Sequence, residues 1–380
     1  MTEGSITGRD PGSGTTIAVD FADGLITGVR ETVAETALYL SAGLVDLQVN
    51  GHGGVDFNAP ALTPEGLSSA ARQLARLGTT TFLPTLITAS EEALIAALRT
   101  IAAARQADPL LAHMVPFVHV EGPFLAAEDG PRGAHPREHI RAPDIAEFER
   151  WQAASRGLVG MVTLSPHYLE APAFTAALRQ RGVHVSLGHT GATPEEIRRA
   201  VDAGAQLSTH LGNGAAAMLP RHPNLIWAQL ADDRLTATYI ADGHHLPADT
   251  FKAMLRAKGT ERSILISDAT SLAGRPPGVY DQPIGGKVEL SADGRLSMAG
   301  TPYLAGAVRS LADGVAIAID LGSLSLAESL ALATLHPGRF AGGRGRLEPG
   351  APADLIRFAW APGTRTLDIE TVLIMGREVD

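Results

Sequence analysis

Cysteine is absent from the 380 residues. Disulfides and thiolate metal sites are therefore excluded, and any transition metal must be held by histidine and carboxylate side chains. A cysteine-free chain also suits the cytoplasm, where disulfides are rare. Long apolar runs are missing too: none reaches the roughly 18 residues of a membrane span, so no membrane partner is expected. The start, Met1-Thr-Glu-Gly-Ser-Ile6, lacks the basic-then-apolar order of a secretory leader. Lys and Arg never form a run, and the net charge is −10. Both facts argue against nucleic acid as a partner. An anionic small molecule would then need a locally positive pocket. There is no internal repeat, and no low-complexity stretch beyond a Gly-rich start.

What is present allows a large core, since hydrophobic residues make up 45% of the chain. The length exceeds one ordinary domain and is normal for a barrel with a small added domain. Apolar runs with β-branched residues recur at 44–49, 79–83, 114–120, 158–164, 183–187, 205–208, 235–240 and 263–266. Ala/Leu/Arg-rich helical segments separate most of them, such as 64–77, 91–104, 194–203 and 247–257. Proline at the start of several of these suits the first helical turn. Strands alternating with helices in this number predict an α/β fold, a (β/α)8 TIM-type barrel over residues 43–344. The chain ends read differently. Thr16–Phe21 and Leu25–Val29 flank Asp23-Gly24, a hairpin signal, and residues 345–380 show similar short β-like runs. Neither end is long enough for its own sheet. Residues 1–42 and 345–380 are therefore expected to pair into one small β-sandwich domain.

Barrels of this kind carry their sites at the C-terminal strand ends, and this chain keeps its unusual polar residues there. The third run ends as Phe117-Val-His-Val-Glu121-Gly-Pro-Phe124. A buried strand gains nothing from a terminal glutamate, and an unpaired charge there is costly. A solvated loop carboxylate is the plain alternative. Ser186-Leu-Gly-His189-Thr and Leu207-Ser-Thr-His210-Leu end in histidine in the same way. Glu121, His189 and His210 could form a three-ligand set for a catalytic metal, leaving a position open for water. Strand eight, Ile264-Leu-Ile-Ser-Asp268, ends in an aspartate that could pass a proton from water to a leaving amine, or be a turn residue only. Asp242-Gly-His-His245 closes strand seven. Two adjacent histidines cannot face one way, so one of them is expected to face the site unless the stretch is a surface loop. His135 lies on a long Pro/Gly-rich loop, 125–142, where it could polarise a carbonyl or be solvated. Arg221, after the strand-six histidine, could bind a phosphate or carboxylate or be an ordinary surface arginine. At the end of strand one, Gln48 and Asn50 stand where many metallohydrolase barrels have His-x-His. Neutral amides are poor ligands for a transition metal, which argues for one metal rather than two.

A set of stretches in this order resembles a known family. They are Ala42-Gly-Leu-Val-Asp-Leu-Gln-Val-Asn-Gly51-His-Gly-Gly-Val-Asp56-Phe, Gly78-Thr-Thr-Thr-Phe-Leu-Pro-Thr85, His119-Val-Glu-Gly-Pro-Phe124, Asp242-Gly-His-His245, Ser267-Asp-Ala269 and Leu304-Ala-Gly306. They look like the N-acetylglucosamine-6-phosphate deacetylases of the amidohydrolase superfamily, from about residue 16 to the C-terminus. The resemblance implies one divalent metal ion, zinc with iron as the alternative, on Glu121, His189 and His210. It implies Asp268 as general base and acid, and His135 polarising the acetyl carbonyl. His245 would contact the sugar, Asn213 with the backbone of Gly214 and Arg221 would hold the phosphate, and Leu304, Ala305 and Gly306 would line the substrate. In the family that arginine comes from the neighbouring subunit, so a homodimer is implied. The implied reaction is hydrolysis of N-acetyl-D-glucosamine 6-phosphate to D-glucosamine 6-phosphate and acetate.

The chain departs from the family in four places, one of them a short N-terminal β segment with an atypical Gly-rich lead. Leu211-Gly-Asn-Gly-Ala-Ala-Ala217 replaces a stretch that typically reads Leu-(Tyr/Phe)-Asn-Ala-Met, in the phosphate and sugar region. His167 follows strand four where Glu is usual, and Leu335-His-Pro337 replaces the usual Asn-Pro. None of these touches the expected ligands or base, so other N-acyl substrates on the same site remain alternatives. These are N-acetylgalactosamine 6-phosphate, a non-phosphorylated acetylated sugar, an N-acyl amino acid or a cyclic amide. An inactive sugar-phosphate-binding protein is a reading from another class. Retention of Glu121, His189, His210 and Asp268 together speaks against it, because a pure binder has no use for a metal-water site and a base.

Overall fold

The structure, a computed structural model, describes residues 3–282, 286–301 and 303–379. Eight parallel strands follow one another around a barrel: β1 (Leu44–Val49), β2 (Thr79–Ile87), β3 (Val118–Glu121), β4 (Val159–Leu164), β5 (His184–Leu187), β6 (Leu207–Ser208), β7 (Thr236–Ile240) and β8 (Ser263–Ile266). Each lies on an expected run. The third strand starts later than its run, because Pro109–Met114 forms a helix capped by Asp108. Helices fill the crossovers, as the alternation required. Pro64–Arg76 shows why they form: the Thr63 hydroxyl accepts from Gly66 N–H, Pro64 opens the first turn, and Leu67, Ala70, Ala71 and Leu74 make one buried stripe. Pro194–Asp202 carries a full capping box between Thr193 and Glu196.

The barrel is nearly closed. Between β8 and β1 the described residues form a single bridge, Val49 with Ala269. Asp268 N–H donates to Gln48 O at 3.0 Å and Asn50 N–H to Ala269 O at 2.8 Å. Lower in the seam a side chain takes over: the Asp46 carboxylate accepts from Ser267 N–H at 3.2 Å. Val45, Leu47, Leu83, Met161, Leu207, Ile240, Ile264 and Ile266 pack the interior, so the polar strand ends stand on an apolar floor.

Both chain ends build one continuous seven-stranded sheet, in the order 377–378, 368–374, 355–359, 39–42, 3–9, 16–22, 25–31. It curls until Leu25 bridges Pro352. Its two halves then face each other across a shared core that includes Ile6, Val19, Phe21, Leu355 and Leu373. The Asp23-Gly24 turn has φ of 50° and 82°, the left-handed pair a two-residue hairpin requires. A further three-stranded sheet, 278–282, 286–290 and 296–298, was not expected, although Asp293-Gly294 between apolar runs is a hairpin signal of the same kind. Among the described residues no helix is long and apolar enough to cross a membrane.

Phe124, the last residue of the His-x-Glu-Gly-Pro-Phe stretch, anchors the chain just after Glu121. It is fully buried, stacks on Trp151 at 5.4 Å and meets Phe174 edge-on at 5.1 Å. Phe124→Ala is expected to cost about 3–5 kcal/mol of unfolding free energy, read from denaturant midpoints. A loss under about 1 kcal/mol would show that the pocket collapses around the deletion.

Candidate active site

Four strand ends aim their terminal side chains at one point over the barrel mouth. Past their strands, His189, His210 and Asp268 take left-handed backbone angles, with φ of 47°, 27° and 49°. Such conformations cost on the order of 1–3 kcal/mol each and persist only where the surroundings hold them. Glu121 closes β3 and is followed by Gly122 at φ 88°, an angle that favours glycine.

The result is a tight cluster. Glu121 Oε1 lies 2.9 Å from His210 Nε2 and 3.3 Å from His189 Nε2. One donor atom from each of the three residues falls within 4.8 Å of the others, and all three are buried. Burial alone would push the Glu121 carboxyl up, but the hydrogen bonds and charges of His189 and His210 outweigh it and hold it well below the usual range. The His189 ring has its tautomer set from behind: Nδ1 donates to Pro131 O at 2.8 Å, which leaves the Nε2 lone pair facing the cluster. His210 Nδ1 is buried with no partner among the described residues. A carboxylate with two imidazoles and no thiolate is a donor set suited to a divalent metal ion. The residues fit a divalent cation.

Asp268 and His135 flank the cluster. The Asp268 carboxyl is pushed up to about 6, by burial first and then by the nearby Glu121 charge, against the pull of His210, His245 and Asn50. Asn50 Nδ2 donates to Asp268 Oδ1 at 2.7 Å, which orients the carboxylate. His135 is buried, not solvated. Its Nδ1 accepts from Thr88 N–H at 3.4 Å and meets the Thr88 hydroxyl at 2.8 Å. The proton therefore sits on Nε2, 3.2 Å from His189 Nε2. Burial and the neighbouring His189 lower its pKa to about 3, so His135 presents a neutral N–H donor.

The adjacent histidines point apart. His245 Nδ1 donates to Asp242 Oδ2 at 2.7 Å, while Asp242 Oδ1 takes the backbone N–H groups of His244 and His245. Burial would raise Asp242, but these bonds hold it at about 2. His244 turns outward and meets Asp293 O at 3.2 Å. Asn213 folds back on His210 O, at 2.9 Å through its backbone N–H. Gly214, at φ 59°, lies so close to His189 that a Cβ would stand 2.8 Å from Nδ1. The unusual Gly-rich loop thus brings backbone against a ligand ring. Leu304, Ala305 and Gly306 run beside the end of β8, where Gly306 abuts Thr270. Arg221 is exposed on the 212–224 loop and, among the described residues, makes no hydrogen bond or ion pair with the cluster, so within one chain it is not brought to the site. His336, one of the departures, hydrogen-bonds Ser263 O at the far end of β8 and supports the barrel instead.

Asn50 stands among the polar strand-end residues, but its bond to Asp268 spans 218 residues and has no local signal. Asp46, buried and pushed up to about 7 chiefly by burial, belongs to the same seam. In metal-free protein the Asp268 carboxyl is expected to titrate near 6, followed by carboxyl-carbon NMR, and to move lower when a cation is added. Because this pKa exceeds the unfolded value of about 3.9, the group favours the fold at low pH. That contribution is lost as pH rises from about 4 to about 6. A titration at the ordinary carboxylate value would show that the site is open to water.

Three comparisons bear on this geometry. A profile of the amidohydrolase family matches residues 39–379. The N-acetylgalactosamine-6-phosphate deacetylase of Escherichia coli O157:H7 is 34% identical over 349 residues, covering 88% of this chain and 88% of that protein. The N-acetylglucosamine-6-phosphate deacetylase of Bacillus subtilis (strain 168) is 32% identical over 289 residues, covering 75% and 71%. Among solved structures, an aspartate-to-alanine mutant of N-acetyl-D-glucosamine-6-phosphate deacetylase from Mycobacterium smegmatis, in complex with N-acetyl-D-glucosamine-6-phosphate, superposes with a TM-score of 0.88. It is 28% identical and covers 100% of both chains.

Proposed function

Because the chain belongs to the amidohydrolase family, within its N-acetylglucosamine-6-phosphate deacetylases, we propose that it hydrolyses the acetamide of N-acetyl-D-glucosamine 6-phosphate to D-glucosamine 6-phosphate and acetate. The observation that carries this is the buried convergence of Glu121, His189 and His210 beside Asp268. Glu121, His189 and His210 would hold one divalent cation, zinc with iron as the alternative, which would supply Lewis acidity and bring the pKa of water down towards neutral. Asp268, with Oδ1 fixed by Asn50, takes the proton of the attacking water and delivers it to the amide nitrogen, so that the amine leaves neutral. His135 donates its Nε2–H to the carbonyl oxygen as negative charge develops there. His245, oriented by Asp242, presents its Nε2 to the sugar. Asn213, the backbone of Gly214 and the 304–306 segment line the substrate.

The exposure of Arg221 supports a homodimer in which each chain lends this arginine to its partner's phosphate site. A cytoplasmic location fits a cysteine-free enzyme of amino sugar metabolism. A second reading, the 4-epimer N-acetylgalactosamine 6-phosphate, is favoured by the E. coli relative, whose identity is slightly higher than that of the B. subtilis enzyme.

Acetate release from the two sugar phosphates and from N-acetylglucosamine, with zinc-loaded and chelated protein, tests both readings. Metal-dependent turnover is expected for phosphorylated sugars only. Arg221→Ala is expected to raise KM for the phosphorylated sugar with little change in kcat, the mark of an anion held equally in ground and transition states. Equal turnover of the non-phosphorylated sugar would overturn the phosphate site, and no change in KM would remove Arg221 from it.

A further inference from the structure

Beneath the cluster the barrel interior is not apolar throughout. Ser186 Oγ lies 2.5 Å from Thr209 Oγ1, Thr209 Oγ1 2.7 Å from Thr163 Oγ1, and Thr163 Oγ1 2.8 Å from His119 Nε2. His119 Nδ1 ends the chain on Leu47 O at 3.2 Å. All four side chains are buried. The direction of every bond follows from its last acceptor. A carbonyl can only accept, so His119 carries its proton on Nδ1, and the neutral ring accepts at Nε2. Thr163 must then donate to His119, Thr209 to Thr163 and Ser186 to Thr209. Each hydroxyl has one assigned acceptor and none is orphaned, which is the condition for a buried polar network to be tolerated and to rigidify its surroundings.

The chain crosses β5, the end of β6, β4, β3 and β1, and it touches every strand that ends in a ligand. His119 stands two residues before Glu121, and Thr163 is the cross-strand partner of Glu121. Thr209 directly precedes His210, and Ser186 stands three residues before His189. The tip of β5 presses on the same groups: a Cβ at Gly188 would meet Thr209 at 2.8 Å and Thr163 at 3.1 Å. Apolar side chains of the same shape at all of these positions could fill the space without a polar cost, so packing alone does not call for hydroxyls here. Hydrogen bonds fix separations and angles that apolar contacts leave loose.

We propose that His119, Thr163, Thr209 and Ser186 are positioning residues, one hydrogen-bonded chain that sets the spacing of the three strand ends carrying Glu121, His189 and His210. The inference rests on reading those three as a cation site. Thr163→Val removes both central bonds at nearly constant volume. Zinc affinity of the purified full chain, measured by competition with a chromogenic chelator, is expected to weaken roughly tenfold, the lower end for changes outside the ligands themselves. Because the substitution strands the buried His119 acceptor and Thr209 donor, the melting temperature of the metal-free variant should fall as well, and Thr163→Ser, which keeps the hydroxyl, should restore both the affinity and most of that stability. Ser186→Ala, at the free end of the chain, should weaken zinc less and in the same direction, and it serves if the valine variant does not fold. Zinc affinity within about twofold of the parent in the variants would overturn the positioning role, as would a loss of metal-free stability with affinity intact. A parent protein that binds no zinc would instead overturn the cation site itself, and this inference with it.

Discussion

Asp268→Asn is expected to lower kcat by about 10²–10⁴-fold, the range of a positioned general acid–base group, while the variant still binds both cation and substrate. Two features of the site set the size of this effect. Asp268 is held at the cluster by Asn50, and in the metal-free protein its carboxyl is pushed up to about 6 by burial and the Glu121 charge, an environment in which it can both accept and return a proton. Glu121 has the opposite environment and stays ionised, held well below the usual range by its two histidines. Two buried carboxylates pushed apart in this way divide the work between proton transfer and charge. Asparagine keeps the shape of Asp268 and can still pair with Asn50, so the folded structure should persist. The decisive comparison is kcat against zinc content and substrate Kd in the same preparation. Retention of more than about a tenth of the parent kcat with zinc bound would assign the proton transfer to another group.

Glu121→Gln should act one step earlier. The carboxylate is the only anionic member of the ligand set, and a neutral amide is a poor donor to a transition metal. Zinc content after dialysis is expected to fall from one ion per chain to near none, with affinity down by more than the about 10–100-fold typical of outer-shell changes. Turnover should drop to that of the chelated parent. The two variants separate cleanly: Asp268→Asn keeps metal and loses rate, whereas Glu121→Gln loses both. A Glu121→Gln protein that holds zinc at parental affinity would mean that the histidines bind with some other partner.

The eight strands, most of the crossover helices and the cluster of Glu121, His189 and His210 were legible because their signals are local. An apolar run ending abruptly in Glu121, His189 or His210 marks a strand tip, and (β/α)8 topology puts all strand tips on one face. The 278–298 sheet was missed, although its Asp293-Gly294 turn follows the same rule as the correctly read Asp23-Gly24 turn. His135 stood open between a solvated loop residue and a site residue, since nothing in Gly133-Ala-His-Pro136 reports its burial.

By itself the sequence determined the barrel, the pairing of the chain ends and the strand tips that carry Glu121, His189 and His210. Periodicity and punctuation along the chain are enough for those. Only the tertiary structure decided the chemistry of each group. Burial and one neighbouring charge raise Asp268, Thr88 and Pro131 choose the proton positions on His135 and His189, and Asn50 reaches Asp268 across the barrel seam. It also left Arg221 on the surface of the single chain. These properties depend on which groups barrel closure brings within about 3 Å in a low-dielectric interior, and residues far apart in the chain carry no local trace of that proximity.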